Sequence, residues 1–191
     1  MLAGVKQKGD RQLAQEDVSQ LVANRLLTEM ARSLSETHSK FSAWLLAGSS
    51  AVFGLILANL DSVSKFVAID VVKCGANLLL LSLIAAVIQR WVFSIVQAGI
   101  KGGDSGAQMD QEIRAGNFTF DQEKLFFEIE KASFYPAKWL IRWQYGKLKD
   151  GDATVSGRQQ LKLAQLQGFC LLLQIFLAVA SVAVLVSGLN A

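Results

Sequence analysis

Phe169–Leu189 reads FCLLLQIFLAVASVAVLVSGL and contains no charged residue. An α-helix needs about 20 apolar residues to cross a bilayer's hydrocarbon, so this stretch is long enough to span. Ala43–Leu60, AWLLAGSSAVFGLILANL, is also uncharged and just sufficient, with Trp44 near one end and Asn59–Asp61 at the other as interface markers. A third run starts near Val71, is strongest over Leu78–Ile88, and continues past Arg90 and Trp91 to Ile100. Lys73 and Arg90 bracket its core, where long basic side chains snorkel to the headgroups. A buried helix of a soluble protein normally keeps a polar face, and two of these runs have none. The pattern predicts an all-α integral membrane protein with three transmembrane helices, a long N-terminal helix and a helical loop layer.

The average agrees. Hydrophobic residues make up 52% of the chain and charged ones 18%, below the quarter or so usual in soluble domains. Such a composition, with one Pro and two Cys, excludes a disordered chain, a collagen-like repeat and a disulfide scaffold. A net charge of +3 spread over mixed signs gives no footprint for nucleic acid. The polar arm over 1–42 holds acidic residues and precedes the first run, which fits neither a signal peptide nor a mitochondrial presequence.

Basic residues predict the orientation. Lys65, Lys73 and Arg90 aside, all of the 19 Lys and Arg fall before the first run or between the second and third. Three spans put those two regions on one side, and positive residues accumulate on the cytoplasmic side. The expected protein is therefore a multi-pass inner (plasma) membrane protein with a cytoplasmic N-terminus and Ala191 outside. Four regions follow: an amphipathic arm over 1–42, a transmembrane hairpin over 43–100 (spans about 43–60 and 71–96), a cytoplasmic connection over 101–168, and the last span with its tail over 169–191.

Within the arm, Leu13, Val18, Leu21, Val22, Leu26, Leu27, Met30 and Leu34 recur at helical spacing after a candidate cap at Asp10. No Gly or Pro follows until Gly48, so the arm is expected to run unbroken into the first span. Too few heptads are sustained for a coiled coil, and no internal repeat stands out. Lys101–Gly106 and Asp150–Gly157 read as flexible stretches, with the last helix opening at Arg158. Between them Asn117–Lys149 alternates aromatics with carboxylates and then carries Trp139, Arg142, Trp143 and Tyr145. Aromatic rings and cations settle at headgroup depth, so these four are candidate membrane-interface residues; the same stripe would equally serve as the core of a helical hairpin. Pro136 is expected to separate two short helices.

Catalytic chemistry finds no constellation. His38 is the only His, and Cys74 and Cys170 both fall within spans, too few for a metal site. Catalytic residues, metal and cofactor are all expected to be none. Inside the bilayer the residues are more informative. Ala47, Ser50, Gly54 and Ala58 give the first span a small face suited to close helix packing. Asn77, Gln89 and Gln174 are amides that should face protein or water, as packing glue or as the lining of a pore. The expectation is a non-enzymatic oligomeric membrane protein, of pore or effector type under cytoplasmic control, as in bacterial defence. The alternative is an anchoring subunit or assembly factor. Its partners would be the lipid bilayer, further copies of itself, and a cytoplasmic protein reached through residues 10–42 and 117–149, with no nucleic acid.

Overall fold

The computed structural model describes the backbone of residues 2–63, 67–114, 122–133, 135, 137–152 and 154–188, with side chains from Val18 onward except 110–122 and 137. These residues form an all-α structure: α1 (Leu2–Ala58), α2 (Leu60–Val63), α3 (Ile69–Arg114), α4 (Gln122–Ala132), α5 (Ala137–Lys149) and α6 (Val155–Ser187). Helices α1, α3 and α6 are each long and apolar enough to cross a membrane. Asn117–Asp121, Pro136 and Leu189–Ala191 lie outside the described residues.

Helix α1 continues from the arm through the first apolar run without a break, as the missing helix breakers predict. Two expectations are corrected. Lys101–Gly106 is helical, because α3 runs on to Arg114. Each added residue of an existing helix forms one hydrogen bond without a new nucleus. That offsets the cost of about 0.5–1 kcal/mol each for Gly102, Gly103 and Gly106. Helix α6 starts at Val155, not Arg158, after a turn in which Gly151 takes a φ of +86°. That left-handed conformation suits glycine and few other residues.

The chain divides into two compact units. One comprises Met1–Ala31 and Ala98–Lys162, and the other comprises Arg32–Gln97 and Leu163–Ala191.

In the first unit, α4 packs on α5 as a short antiparallel pair. Phe126 stacks on Tyr145 with ring centroids 4.4 Å apart. Ion pairs tie its rim: Arg142 to Glu130 at 2.5 Å and Lys149 to Glu123 at 2.5 Å. Exposed pairs of this kind contribute about 0–1 kcal/mol each, so the ring stack and apolar contacts hold the pair together. The start of α6 lies close against α1. Gly157 donates its backbone N–H to the Asn24 side-chain oxygen at 2.7 Å, and a Cβ on Gly157 would meet the Asn24 carbonyl oxygen at 2.7 Å.

The second unit is a three-helix bundle built from parts of α1, α3 and α6. Its contacts fix the helix directions. Ser35 meets Gln167 and Ser42 meets Gln174, a constant offset of 132, so α1 and α6 run parallel. Ser82 meets Gln174 and Gly75 meets Ser181, so α3 runs the opposite way. Buried positions on α6 step by three and four: Ala164, Gln167, Leu171, Gln174, Ala178, Ser181. On α3 they include Val72, Leu79, Ser82, Ala86 and Gln89, with Gly75 buried between the first two. This spacing is the 3.5-residue period of helices that wrap around one another.

Burial in this bundle is inverted. Gln167, Gln174, Gln89, Ser35, Ser42 and Ser181 are at most 1% exposed, whereas Phe176 is 69%, Leu172 63% and Val87 68% exposed. A water-soluble bundle would place those residues the other way round. Lipid tails are as apolar as leucine, so a bilayer leaves the large side chains outside and lets small and polar residues pack the helices.

Candidate functional site

The centre of the bundle is a polar seam with a seven-residue spacing. It carries Ser35 and Ser42 on α1, Gly75, Ser82 and Gln89 on α3, and Gln167, Gln174 and Ser181 on α6. Gln167 makes the most complete link. Its Oε1 accepts from the Ser35 hydroxyl at 2.7 Å, and its Nε2 donates to the Ser35 carbonyl at 3.1 Å. One heptad on, the Ser42 hydroxyl donates to Gln174 Oε1 at 2.8 Å, and the Ser82 hydroxyl donates to the Gln174 carbonyl at 3.0 Å. A further heptad on, the Ser181 hydroxyl donates to the Gly75 carbonyl at 2.7 Å. Gln89 closes the seam by donating Nε2 to the His38 carbonyl at 2.9 Å. Interhelical hydrogen bonds between such groups contribute about 0.6 kcal/mol each on average in a membrane.

Small residues make this possible. A Cβ on Gly75 would sit 2.9 Å from Leu185 Cγ, and one on Gly168 would sit 2.9 Å from His38 Cε1. Two polar atoms in the seam, His38 Nδ1 and Gln89 Oε1, are buried without a hydrogen-bond partner.

The three intramembrane amides part company here. Gln89 and Gln174 are 0% and 1% exposed and bonded across helices within the chain. Asn77 is exposed, and no hydrogen bond joins it to any described residue. The register gives its depth. Two residues along α3 from Gly75 correspond to two residues back on α6 from Ser181, so Asn77 is level with Val179. Val179 is the middle of the uncharged run Phe169–Leu189, while on α3 itself Asn77 lies one turn from Lys73, towards the near end of the core that Lys73 and Arg90 bracket.

On the first span, Ala47, Ser50, Gly54 and Ala58 are all exposed, and nothing lies within 4 Å of a Cβ placed on Gly54. By the α1–α6 offset Ala47 is also level with Val179, at the depth of Asn77. Among the described residues the small face therefore makes no packing contact at Gly54. The close approaches use Gly75, Gly168 and Gly188 instead.

The aromatic connection also divides. Tyr145 is half-buried in the α4–α5 pair, stacked on Phe126, with Lys149 Nζ 5.1 Å from its ring centre. The hydrogen bond from Lys149 to Glu123, with the charge of Glu123, raises the Lys149 pKa above its ordinary value. Trp139 and Trp143, one turn apart on α5, are 59% and 44% exposed, and the exposed Arg142 pairs with Glu130.

At the start of α6, Asp152 accepts from the Thr154 hydroxyl at 2.8 Å and from its backbone N–H at 3.2 Å, and pairs with Arg158. The Thr154 hydroxyl is the main cause of a lowered Asp152 pKa, with its N–H and the Arg158 and Lys147 charges adding to it against partial burial. Among the described residues no group of three or more His, Cys, Asp or Glu is gathered as metal ligands would be.

Neither the seam nor its seven-residue spacing follows from hydropathy alone. The signal was Gln160, Gln167, Gln174 and Ser181 at strict heptad positions, matched by Ser35 and Ser42 and by Ser82 and Gln89. No family model matches this chain, and comparisons with curated proteins and with solved structures give no match.

Proposed function

We propose that this is a non-enzymatic inner-membrane protein that assembles from several copies and permeabilises the membrane under control of its cytoplasmic regions. Asn77 carries this reading. An amide facing hydrocarbon is costly, so it calls for a protein partner or water. Gln89 and Gln174 have partners within their own chain; Asn77 has none among the described residues. The exposed small face of α1, which starts level with Asn77 at Ala47 and runs on to Ala58, lets another helix come close. On this reading the conducting path lies between copies, and Gln89 and Gln174 hold each bundle together. The inverted burial and the three apolar helices support insertion, and the distribution of Lys and Arg supports a cytoplasmic N-terminus.

An anchoring subunit is the second reading, favoured by the exposed Trp139–Trp143 face of α5, which offers a partner two large apolar side chains. Asn77→Leu separates the two when a membrane-potential dye and oligomer yield are read on the same membranes. Permeabilisation predicts that depolarisation is lost while the protein still inserts. Depolarisation unchanged at normal protein level refutes the role of Asn77. No depolarisation by the parent, with a stable co-purifying protein, favours the anchor.

A further inference from the structure

His38 and Gln89 meet in one layer of the bundle. What the Gln89 amide touches fixes its orientation. The His38 carbonyl can only accept, so Nε2 faces it at 2.9 Å and Oε1 is the end left over. Gln89 is 0% exposed, and no described residue donates to its Oε1. His38 Nδ1 is buried without a hydrogen-bond partner in the same way, although the residue as a whole is half-buried. The imidazole lies against α6 at Gly168, where a Cβ would sit 2.9 Å from its Cε1 and 3.5 Å from Nδ1. Buried polar atoms of this kind are normally met by protein or by an ordered water.

We infer that this layer is a binding site for one structural water, held between Gln89 Oε1 and His38 Nδ1. The chemistry of the two atoms selects the ligand. Oε1 can only accept, so its partner must donate. Nδ1 donates or accepts according to which ring nitrogen carries the proton, and water answers it in either case. A direct bond between the two side chains is not made in the structure. Small buried side chains one turn away, Ser35 and Ser42 on α1 and Ala85 and Ala86 on α3, keep the layer from being filled by bulk. Depth gives the water a way in. Gln89 is next to Arg90, and the α3–α6 register sets it level with Gln167, two residues before the uncharged run Phe169–Leu189. Water at the headgroup boundary reaches that level without crossing hydrocarbon. Seven residues of helix, about 10 Å, separate this layer from the next polar one, beyond the reach of one water. The site therefore hydrates a single layer and opens no path through the bundle, and it holds or fails independently of permeabilisation.

His38 is the only histidine in the chain, so isotope-labelled histidine reports on one imidazole. The full chain is reconstituted in lipid bilayers, and magnetisation transfer from water to Nδ1, resolved from Nε2, is measured by solid-state NMR. The expected result is transfer to Nδ1 in the parent and its loss in Gln89→Leu, which removes one of the water's two anchors. Gln174→Leu disturbs the seam one heptad deeper without touching the site, so the transfer should persist there. No transfer to Nδ1 in the parent, as a direct bond from the ring to Gln89 would give, overturns the assignment. Transfer that survives Gln89→Leu overturns it as well, because it marks bulk solvent at the ring. Loss in Gln174→Leu equal to that in Gln89→Leu overturns it in favour of a general loosening of the bundle.

Discussion

Removing the Ser35–Gln167 link tests whether the seam holds the bundle. Gln167 is 0% exposed and makes two hydrogen bonds to α1, at 2.7 and 3.1 Å. Gln167→Leu keeps a side chain of similar bulk and deletes both. At about 0.6 kcal/mol per bond on average, and at most about 1.7, the expected loss is roughly 1–2 kcal/mol. The strandedness of the partner is limited, because the Ser35 carbonyl belongs to a helix and a serine hydroxyl can turn to the carbonyl four residues earlier. Ser35→Ala deletes only the hydroxyl bond. A double-mutant cycle of the two therefore isolates that contact, with an expected coupling of about 0.5–1.5 kcal/mol. The assay is reversible unfolding in bicelles, with helix separation read by a probe pair on α1 and α6. Strict additivity, with coupling below about 0.3 kcal/mol, would refute the contact. It would mean that the parallel register of α1 and α6 is set by something other than the seam.

Two further outcomes follow from particular residues. Gly157→Ala would press a methyl group against the Asn24 carbonyl at 2.7 Å, so it should destabilise by about 1–3 kcal/mol despite the better helix propensity of Ala. Gly146→Ala on α5 meets open space and should stabilise by up to about 1 kcal/mol; the two melting shifts should have opposite signs. Asp152 is held below its ordinary pKa of 3.8, so its contribution to the α6 start is present above that value and is lost as pH falls through the folded pKa. Thr154→Val removes the main cause and should move the Asp152 carboxyl titration, followed by NMR, upward; an unmoved titration would contradict the hydrogen bond.

Much of the framework was legible from length and breakers. Uncharged stretches such as Phe169–Leu189 mark the long helices, and the absence of Gly and Pro between Asp10 and Gly48 foretold that the arm runs unbroken into the first span. The helix through Gly102 and Gly103 was not, since local propensity says nothing of the long helix already formed on the N-terminal side of them. For the site, composition could pick out the amides but could not sort them. Asn77 and Gln174 look alike in a hydropathy profile; only the register of α3 against α6 shows that one faces inward and the other outward. Likewise the small face at Gly54 and the small positions at Gly75 read the same in sequence. One is open and the other abuts Leu185 because helix rotation is decided by the bundle as a whole.

Three helices are long and apolar enough to cross a membrane, and the distribution of Lys and Arg leads us to propose that the N-terminal arm and the connection after α3 lie on the cytoplasmic side. Single-cysteine labelling measures this most directly, in a background where Cys74 and Cys170 are replaced and a membrane-impermeant maleimide is applied to intact cells. Ser62, in the short α2 between the first two apolar helices, and Ser105, on α3 beyond the second apolar run, are the two positions. Efficient labelling of Ser62→Cys is expected, and none of Ser105→Cys until the cells are opened. Labelling of Ser105→Cys from outside, with Ser62→Cys protected, would invert the topology; equal labelling of both before the cells are opened would contradict the crossing itself.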